Sequence, residues 1–373
     1  MNREAPNMNI PERYEDVTAG WLTEALRSGG VIGDQEVSNF KIEPLRADQS
    51  LTSSLARITV VYDEDSEVLP SSMFAKFVSG ISANRGLAAR LGIFRREIVL
   101  YKTLGNSIPL NIPKLYFGLV SEQSDTSVLL MEDIKAVSKA SLPPEKRLLT
   151  SGEGILGVNE LAKMHAKWWG DQALGEYQWL LSADNDTWRQ TYQSSYDEAW
   201  SKTRGILEPV LTPAEAGICR GLSGYLTTLQ AQLGSMPETL CHGDLNQGNL
   251  LWDSPGNPSS VWFVDWQFSA RAPAVLDVAL FLGMGVGKSH TRLIRQNYLP
   301  AYHDALVNSG VTLYDYQQFL NDYRFALLDR LSRIMTLLSD LNLTKEESVD
   351  MIRLRVGNMA GAAEDAGCAD LVF

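Results

Sequence analysis

The hydrophobic and polar positions divide the chain into a strand-rich first third and a helix-rich remainder. Residues Thr18 to Arg27 (TAGWLTEALR) carry apolar side chains at helical spacing. NFKIEPL then sets Phe40, Ile42 and Leu45 in loose alternation. SLARITVVY (Ser54 to Tyr62) is rich in β-branched residues, and SMFAKFV (Ser72 to Val78) follows an acidic turn, DEDSE. These three segments predict an antiparallel sheet. Leu87, Leu91, Phe94, Ile98 and Tyr101 step by four, three, four and three, which predicts a helix over 87–104. NIPKLYFGLV and SVLLMEDI predict two further strands.

After Ile134 the pattern turns helical. GVNELAKMHAKWWG (Gly157 to Gly170), most of Pro213 to Leu233, and most of 291–361 read as helices. The one β island expected in this half is LLW (Leu250 to Trp252) with VWFVD (Val261 to Asp265). The class is therefore α+β, with a sheet domain over 1–133 and a mostly helical domain over 134–373. There are no internal repeats.

Composition narrows the function classes. The net charge is −12, from 45 acidic and 33 basic residues. That excludes the basic face of a general nucleic-acid binder. Three cysteines without a CxxC fit reduced thiols in a cytoplasm. MNREAPNMNIPERYEDV has no apolar core of a signal peptide. No run reaches the roughly 18 apolar residues of a membrane helix. Four histidines (His165, His242, His290, His303) show no zinc-site spacing.

The chemistry concentrates in CHGDLNQGNLL (Cys241 to Leu251) and VWFVDWQ (Val261 to Gln267). DSPGNPSS between them is a dense turn signal. In a hairpin centred on Asn257, Asn249 and Asp265 stand opposite each other, so an amide oxygen and a carboxylate converge. Two hard oxygens of this kind suit Mg²⁺. Asp244, five residues before Asn249, has the placement of a carboxylate that takes a proton from a hydroxyl. This spacing of acid, amide and acid is the one phosphoryl transfer uses. His242 reads as a buried orienting group. Asp277, in the apolar PAVLDVALFL, must be hydrogen-bonded to be tolerated and is expected to bond the loop that carries Asp244, with capping of its own helix as the plainer alternative. Lys76, between Ala75 and Phe77, and Glu97, at the edge of the buried helix face, are charges that call for each other.

HGDLNQGNLL, VDWQ and PAVLDVALFL together resemble the aminoglycoside phosphotransferase and choline kinase superfamily, and most closely its ecdysteroid-kinase-like branch. FRREIVLYKTL, IPKLYFG, VLLMEDI and LAKMHAKWW match that branch's habits, so the resemblance extends over most of the chain. It implies a bilobal protein-kinase-like fold and ATP-dependent phosphorylation of a small-molecule hydroxyl. By position it implies Asp244 as catalytic base and Asn249 and Asp265 as Mg²⁺ ligands. Lys76 would touch the α- and β-phosphates with Glu97 as its partner, and the segment Glu132 to Ile134 would be the hinge that bonds adenine. The loop RADQSLTSS (Arg46 to Ser54) has no GxGxxG; Ser50 and Ser53 are its candidate phosphate-binding hydroxyls, with backbone N–H groups. VDWQ stands where protein kinases have DFG, and Trp266 is expected to pack.

Two alternatives differ in class, a protein-modifying kinase and a non-catalytic nucleotide-binding module. No activation-segment element lies between Asp265 and Asp277, which disfavours the first. The full set of Asp244, Asn249, Asp265, Lys76 and Glu97 disfavours the second. For the acceptor, Trp168, Trp169, Trp179, Trp188 and Trp200 with Tyr177, Tyr192 and Tyr196 form an aromatic run. It could hold a hydrophobic alcohol or a quaternary ammonium, although packing between helices is the plainer reading. Tyr298, Tyr302, His303, Tyr323 and Arg330 are further residues that could line such a cleft.

Overall fold

The computed structural model describes residues 8–45, 53–64, 68–78, 92–121, 126–138, 140–143, 147–182 and 186–372. Ser50 and the first turn of the expected 87–104 helix lie outside the described residues; of Ser53, the strand backbone alone is described. By packing, the chain divides into two compact units. One comprises Met1–Ser141 with Trp262–Phe268, the other Leu142–Val261 with Ser269–Phe373. The first unit thus runs past residue 133 and takes in a segment from far along the chain.

The first unit is built on one antiparallel sheet. Its strands are β1 (Val37–Leu45), β2 (Ser53–Tyr62), β3 (Ser72–Val78), β4 (Leu115–Val120) and β5 (Ser127–Glu132), in the order β1-β2-β3-β5-β4. Pro44, which has no N–H to donate, sits on the edge strand β1, where that is tolerated. Alternation sends Ala56, Ile58, Val60, Met73, Ala75 and Phe77 to one face, where they pack with Leu22, Ala25 and Leu26 of helix α1 (Ala19–Ser28). Each such buried leucine contributes about 2 kcal/mol. Thr18 caps α1 by accepting the Trp21 N–H at 3.1 Å. On the opposite face, Phe74, Leu129 and Met131 pack with Ile98 of helix α2 (Ile93–Thr103). Lys76 shares the parity of Phe74, so the same alternation sends it to the α2 side.

The second unit is mostly helical. Helix α3 (Ile134–Ser138), in the first unit, precedes it in sequence; α4 (Ser151–Lys167), α5 (Asp186–Leu207) and α6 (Pro213–Gly234) open it. Both α4 and α6 begin with reciprocal capping boxes, Thr150 with Glu153 and Thr212 with Glu215. A small sheet that the hydrophobic pattern did not predict joins β6 (Leu181–Ser182), β7 (Glu238–Cys241) and β10 (Ala270–Pro273). β10 runs antiparallel to β7 and parallel to β6. These strands are two to four residues long, too short for an alternation to register.

The expected hairpin forms from β8 (Leu250–Trp252) and β9 (Val261–Phe263). Its turn is centred half a residue earlier than Asn257, since Asp253 N–H donates to the Ser260 carbonyl at 3.3 Å. The cause is the Asp253 carboxylate, which gathers the Ser254, Ser259 and Ser260 N–H groups and closes the turn. Helix α7 (Val275–Gly285) is apolar nearly all round and buried nearly all round, packed against α9 (Tyr316–Leu338) and α10 (Glu346–Asp365). Helix α8 (Leu299–Asn308) packs on α4.

Candidate active site

The first unit holds a buried ion cluster. Lys76 on β3 is 6% exposed and Glu97 on α2 is 1% exposed. The Lys76 ammonium donates to Glu97 Oε2 at 2.7 Å and to Asp265 Oδ1 at 2.5 Å. Burial alone would drive the lysine toward its neutral form. Asp265 and Glu97 outweigh that, and its pKa rises above the ordinary lysine value. Burial pushes the Glu97 carboxyl up, against the pull of Lys76; the ammonium is the group the cluster holds charged.

The two residues after Asp265 brace the cluster. The Trp266 N–H donates to Glu97 Oε1 at 3.2 Å, and Gln267 Nε2 donates to Asp265 Oδ2 at 3.2 Å. Arg96 donates to the Gln267 carbonyl at 2.8 Å. Asp265 itself has φ of 66°, the one positive φ found among non-glycine residues of the described chain. A left-handed aspartate costs about 1–2 kcal/mol and persists where neighbours over-determine it. Trp266 is fully buried and its indole N–H donates to Phe263, so it packs as expected.

At the end of β5 lies the segment Glu132 to Ile134. The Glu132 side chain accepts from the Lys114 N–H, just before β4, and Ile134 is buried at the start of α3. Between them, Asp133 is 4% exposed. It receives Arg57 of β2 at 2.6 Å and Ser72 of β3 at 2.7 Å. Burial raises its pKa and these two donors lower it further than that, leaving a net depression.

The second unit holds a different arrangement. β7 ends at Cys241 and the chain turns through Gly243, whose φ of 86° favours a residue without Cβ. Asp277, in the first turn of α7, is wholly buried. Its carboxylate accepts the His242 N–H at 2.6 Å, the Gly243 N–H at 2.9 Å, and His165 Nε2 at 3.5 Å. Burial pushes the Asp277 pKa up; His165, then the charges of His242 and Arg330, bring it below the ordinary value. His165 is fixed in turn by Tyr302 Oη at 2.8 Å on Nδ1.

Held this way, the loop presents Asp244 between two asparagine amides. Asn246 Nδ2 donates to Asp244 Oδ1 at 3.1 Å. Asn249 Nδ2 donates to Asp244 Oδ2 at 3.2 Å and to its carbonyl at 2.7 Å. With the amide nitrogen turned to Asp244, the Asn249 Oδ1 is directed away from it. The buried ring of His242 takes the Asp244 N–H at 3.4 Å.

The structure therefore brings Lys76, Glu97 and Asp265 together in one unit, and His242, Asp244, Asn249 and Asp277 together in the other. Sequence reasoning missed Asp133 with Arg57, His165, Asn246 and Gln267. A signal existed for two of them. Asp133 is a charge inside MEDI, and His165 stands four residues after Leu161 on a buried helix face. The residues offered as cleft lining are largely core: Tyr298, Tyr302 and Tyr323 are at most 2% exposed, and Arg330 donates to the Leu276 carbonyl. They lie on helix faces that pack inward. Of the aromatic run, Trp168 and Tyr196 are buried, Trp169 meets Tyr314 in a tilted ring contact at 4.9 Å, and the side chains of Trp188 and Tyr192 lie outside the described residues.

An uncharacterised kinase-like protein of Caenorhabditis elegans is 28% identical over 119 residues, a match spanning 31% of this chain and 31% of that protein. A candidate aminoglycoside phosphotransferase from Ralstonia eutropha superposes with a TM-score of 0.53 at 13% identity, over 90% of this chain and 95% of that one. An aminoglycoside phosphotransferase solved with GDP and kanamycin superposes with a TM-score of 0.50 at 11% identity, over 93% and 98%. At such identities the likeness is one of fold, which is protein-kinase-like. The model of the ecdysteroid kinase-like family matches residues 48–314, most of the chain and both clusters, and the chain belongs to that family.

Proposed function

We propose that this chain is a phosphotransferase that moves the γ-phosphoryl group of ATP to a hydroxyl of a small molecule, with Mg²⁺ as its metal. The observation that carries the reading is the buried ammonium of Lys76 held between Glu97 and Asp265. A buried lysine is costly unless it is paired, and a positive charge held fixed in this way suits a polyphosphate.

The donor set fits a magnesium ion. Asp265 already accepts a cationic group on one oxygen, and Asn249 has an amide oxygen directed away from Asp244. Asp265 and Asn249 are the oxygens we assign to Mg²⁺, which when bound would offset negative charge on the phosphates. Lys76, kept in place by Glu97, orients the α- and β-phosphates. The Asp133 bracket holds the strand end whose backbone we assign to adenine. Asp244, oriented by Asn246 and Asn249, takes the proton of the attacking hydroxyl. The hydroxyl oxygen forms its bond to the γ-phosphorus, the bond from that phosphorus to the bridging oxygen breaks, and ADP leaves. Positioning and electrostatics do most of this work.

The acceptor class we assign is a small alcohol, of the aminoglycoside, choline or steroid kind. The setting we infer is cytoplasmic, in keeping with three cysteines that are all buried free thiols. Among the described residues no helix is long and apolar enough to cross a membrane.

The test is ADP release from Mg-ATP, and GDP release from Mg-GTP, against a panel of aminoglycosides, amino alcohols and sterol alcohols. Acceptor-dependent release that stops on adding EDTA is expected. Nucleotide turnover that no alcohol stimulates, or that survives chelation, contradicts the proposal.

A further inference from the structure

Two helices of the second unit open on the same four-residue pattern, Thr150 to Glu153 for α4 and Thr212 to Glu215 for α6, and use it differently. In α6 the Glu215 Oε2 accepts the Thr212 N–H at 2.8 Å and the Lys288 ammonium, and among the described residues its Oε1 has no hydrogen-bond partner. One oxygen is all that a capping box asks of its glutamate. Glu153, equally buried, uses both. Its Oε2 accepts the Thr150 N–H at 2.9 Å and Arg147 Nη1 at 2.9 Å, and its Oε1 accepts Arg147 Nη2 at 2.6 Å and the Gly256 N–H at 2.9 Å. The last of these bonds leaves the helix for the turn of the β8–β9 hairpin.

That turn is gripped at a second point. The Thr150 hydroxyl donates to the Gly256 carbonyl at 3.3 Å, so both backbone groups of Gly256 end on the start of α4. A ribbon of two strands, three residues each, is marginal alone and needs such an anchor. The other end of β8 is held through the same segment. The Leu149 N–H and the Gln247 side-chain amide both donate to the Gly285 carbonyl at the end of α7, at 2.8 and 3.3 Å. Residues 149–153 thus reach β8 from both sides, at Gly256 directly and at Gln247 through Gly285. Asn249, two residues after Gln247, lies between the two anchors. Burial pushes the Glu153 pKa up, and Arg147 with the Thr150 and Gly256 N–H groups brings it below the ordinary value, so the carboxylate stays charged.

We propose that Glu153 is a positioning residue for the metal-binding amide: through Gly256 it keeps β8, and with it Asn249, where a magnesium ion needs the amide oxygen. The inference rests on the phosphotransferase reading, which assigns Asn249 to Mg²⁺. Groups behind a metal ligand set its orientation, and losing one weakens metal affinity by about tenfold or more. Glu153 is wholly buried, so it acts through the hairpin and not on a ligand.

The test needs neither acceptor nor turnover. The full chain is held with a saturating non-hydrolysable ATP analogue, Mg²⁺ is titrated, and the melting temperature is read. Glu153→Gln keeps the cap and loses the second acceptor oxygen. Its Mg²⁺ half-saturation is expected to rise about tenfold over the wild type. Glu215→Gln, the matched change in the other box, should stay within about twofold. Starting melting temperatures, without nucleotide or metal, report any folding defect separately. Where Glu153→Gln fails to fold, Thr150→Ala reads the same grip at the Gly256 carbonyl, with a rise of about threefold expected. Thr150→Ser, which keeps the hydroxyl, should restore the wild-type value. A Glu153→Gln half-saturation within about twofold of the wild type, or an equal rise in Glu215→Gln, overturns the inference alone. Where Thr150→Ala is the variant read, its failure to rise does the same. A wild type whose melting temperature does not answer to Mg²⁺ overturns the phosphotransferase reading and the inference with it, so the two failures are told apart.

Discussion

The two clusters satisfy a buried carboxylate in opposite ways. In the sheet unit, Glu97 and Asp265 are answered by a full charge, the Lys76 ammonium at 2.7 and 2.5 Å. In the helical unit, Asp277 is answered mainly by directed hydrogen-bond donors, two backbone N–H groups and a histidine ring. An ion pair can re-form around a new charge, so it suits a place that must receive a polyphosphate. A carboxylate on backbone N–H groups fixes the path of the chain, so it suits a place that must hold a loop still. On the proposed reading, charge serves binding in one unit and shape in the other.

The largest effect should come from the helical unit. Asp277→Ala strands two buried N–H groups and His165, and should destabilise by about 3–5 kcal/mol in chemical denaturation. Asp277→Asn should cost less, since an amide oxygen can keep one N–H. Because the folded Asp277 pKa is depressed, its stabilisation is present above the ordinary aspartate value. It is lost as pH falls through the lower folded value. The acid limb of the wild-type stability curve should therefore flatten in Asp277→Asn.

Lys76→Met comes next, and it sharpens the contrast by acting at the other end of the pH range. The lysine's folded pKa is raised, so its stabilisation is complete below the ordinary lysine value and fades only as pH climbs through the higher folded one. Removing it leaves Glu97 and Asp265 facing each other without a cation. A stability loss of about 3 kcal/mol near neutral pH is expected, relieved in the double variant Lys76→Met with Glu97→Gln. Additive losses in that cycle would dissolve the cluster as a unit.

Asp133→Asn should have the smallest effect on folding, about 1–2 kcal/mol, because Arg57 keeps partial access to water. Its consequence should appear in nucleotide affinity, weakened about tenfold with little change in turnover at saturation. An unchanged KM for ATP would remove the hinge role assigned to the bracket.

The contrast also explains what could be read from the sequence. Lys76, Glu97 and Asp277 are legible because each is a charge inside an apolar periodic run, and a run that would otherwise be buried exposes its exceptions. The five-stranded sheet is legible for the same reason, through β-branched alternation. Asp244 and Asn249 are legible as spacing around two glycines. The small sheet of β6, β7 and β10 is not, because strands so short carry no period. Arg57 with Asp133, and Gln267 with Asp265, are polar pairs whose meaning lies in who faces whom across the sheet or along an irregular turn. The hairpin's offset by half a residue came from the Asp253 carboxylate collecting turn N–H groups, a local competition that symmetry counting ignores.

The central claim is that Asp244 acts on the hydroxyl and leaves the nucleotide to the other groups. The direct measurement is a paired one on Asp244→Asn, turnover with the best acceptor and the dissociation constant of a non-hydrolysable ATP analogue with Mg²⁺. The account predicts turnover lower by on the order of 10³ and nucleotide affinity within about twofold of the wild type. Turnover that stays near the wild-type rate would contradict it.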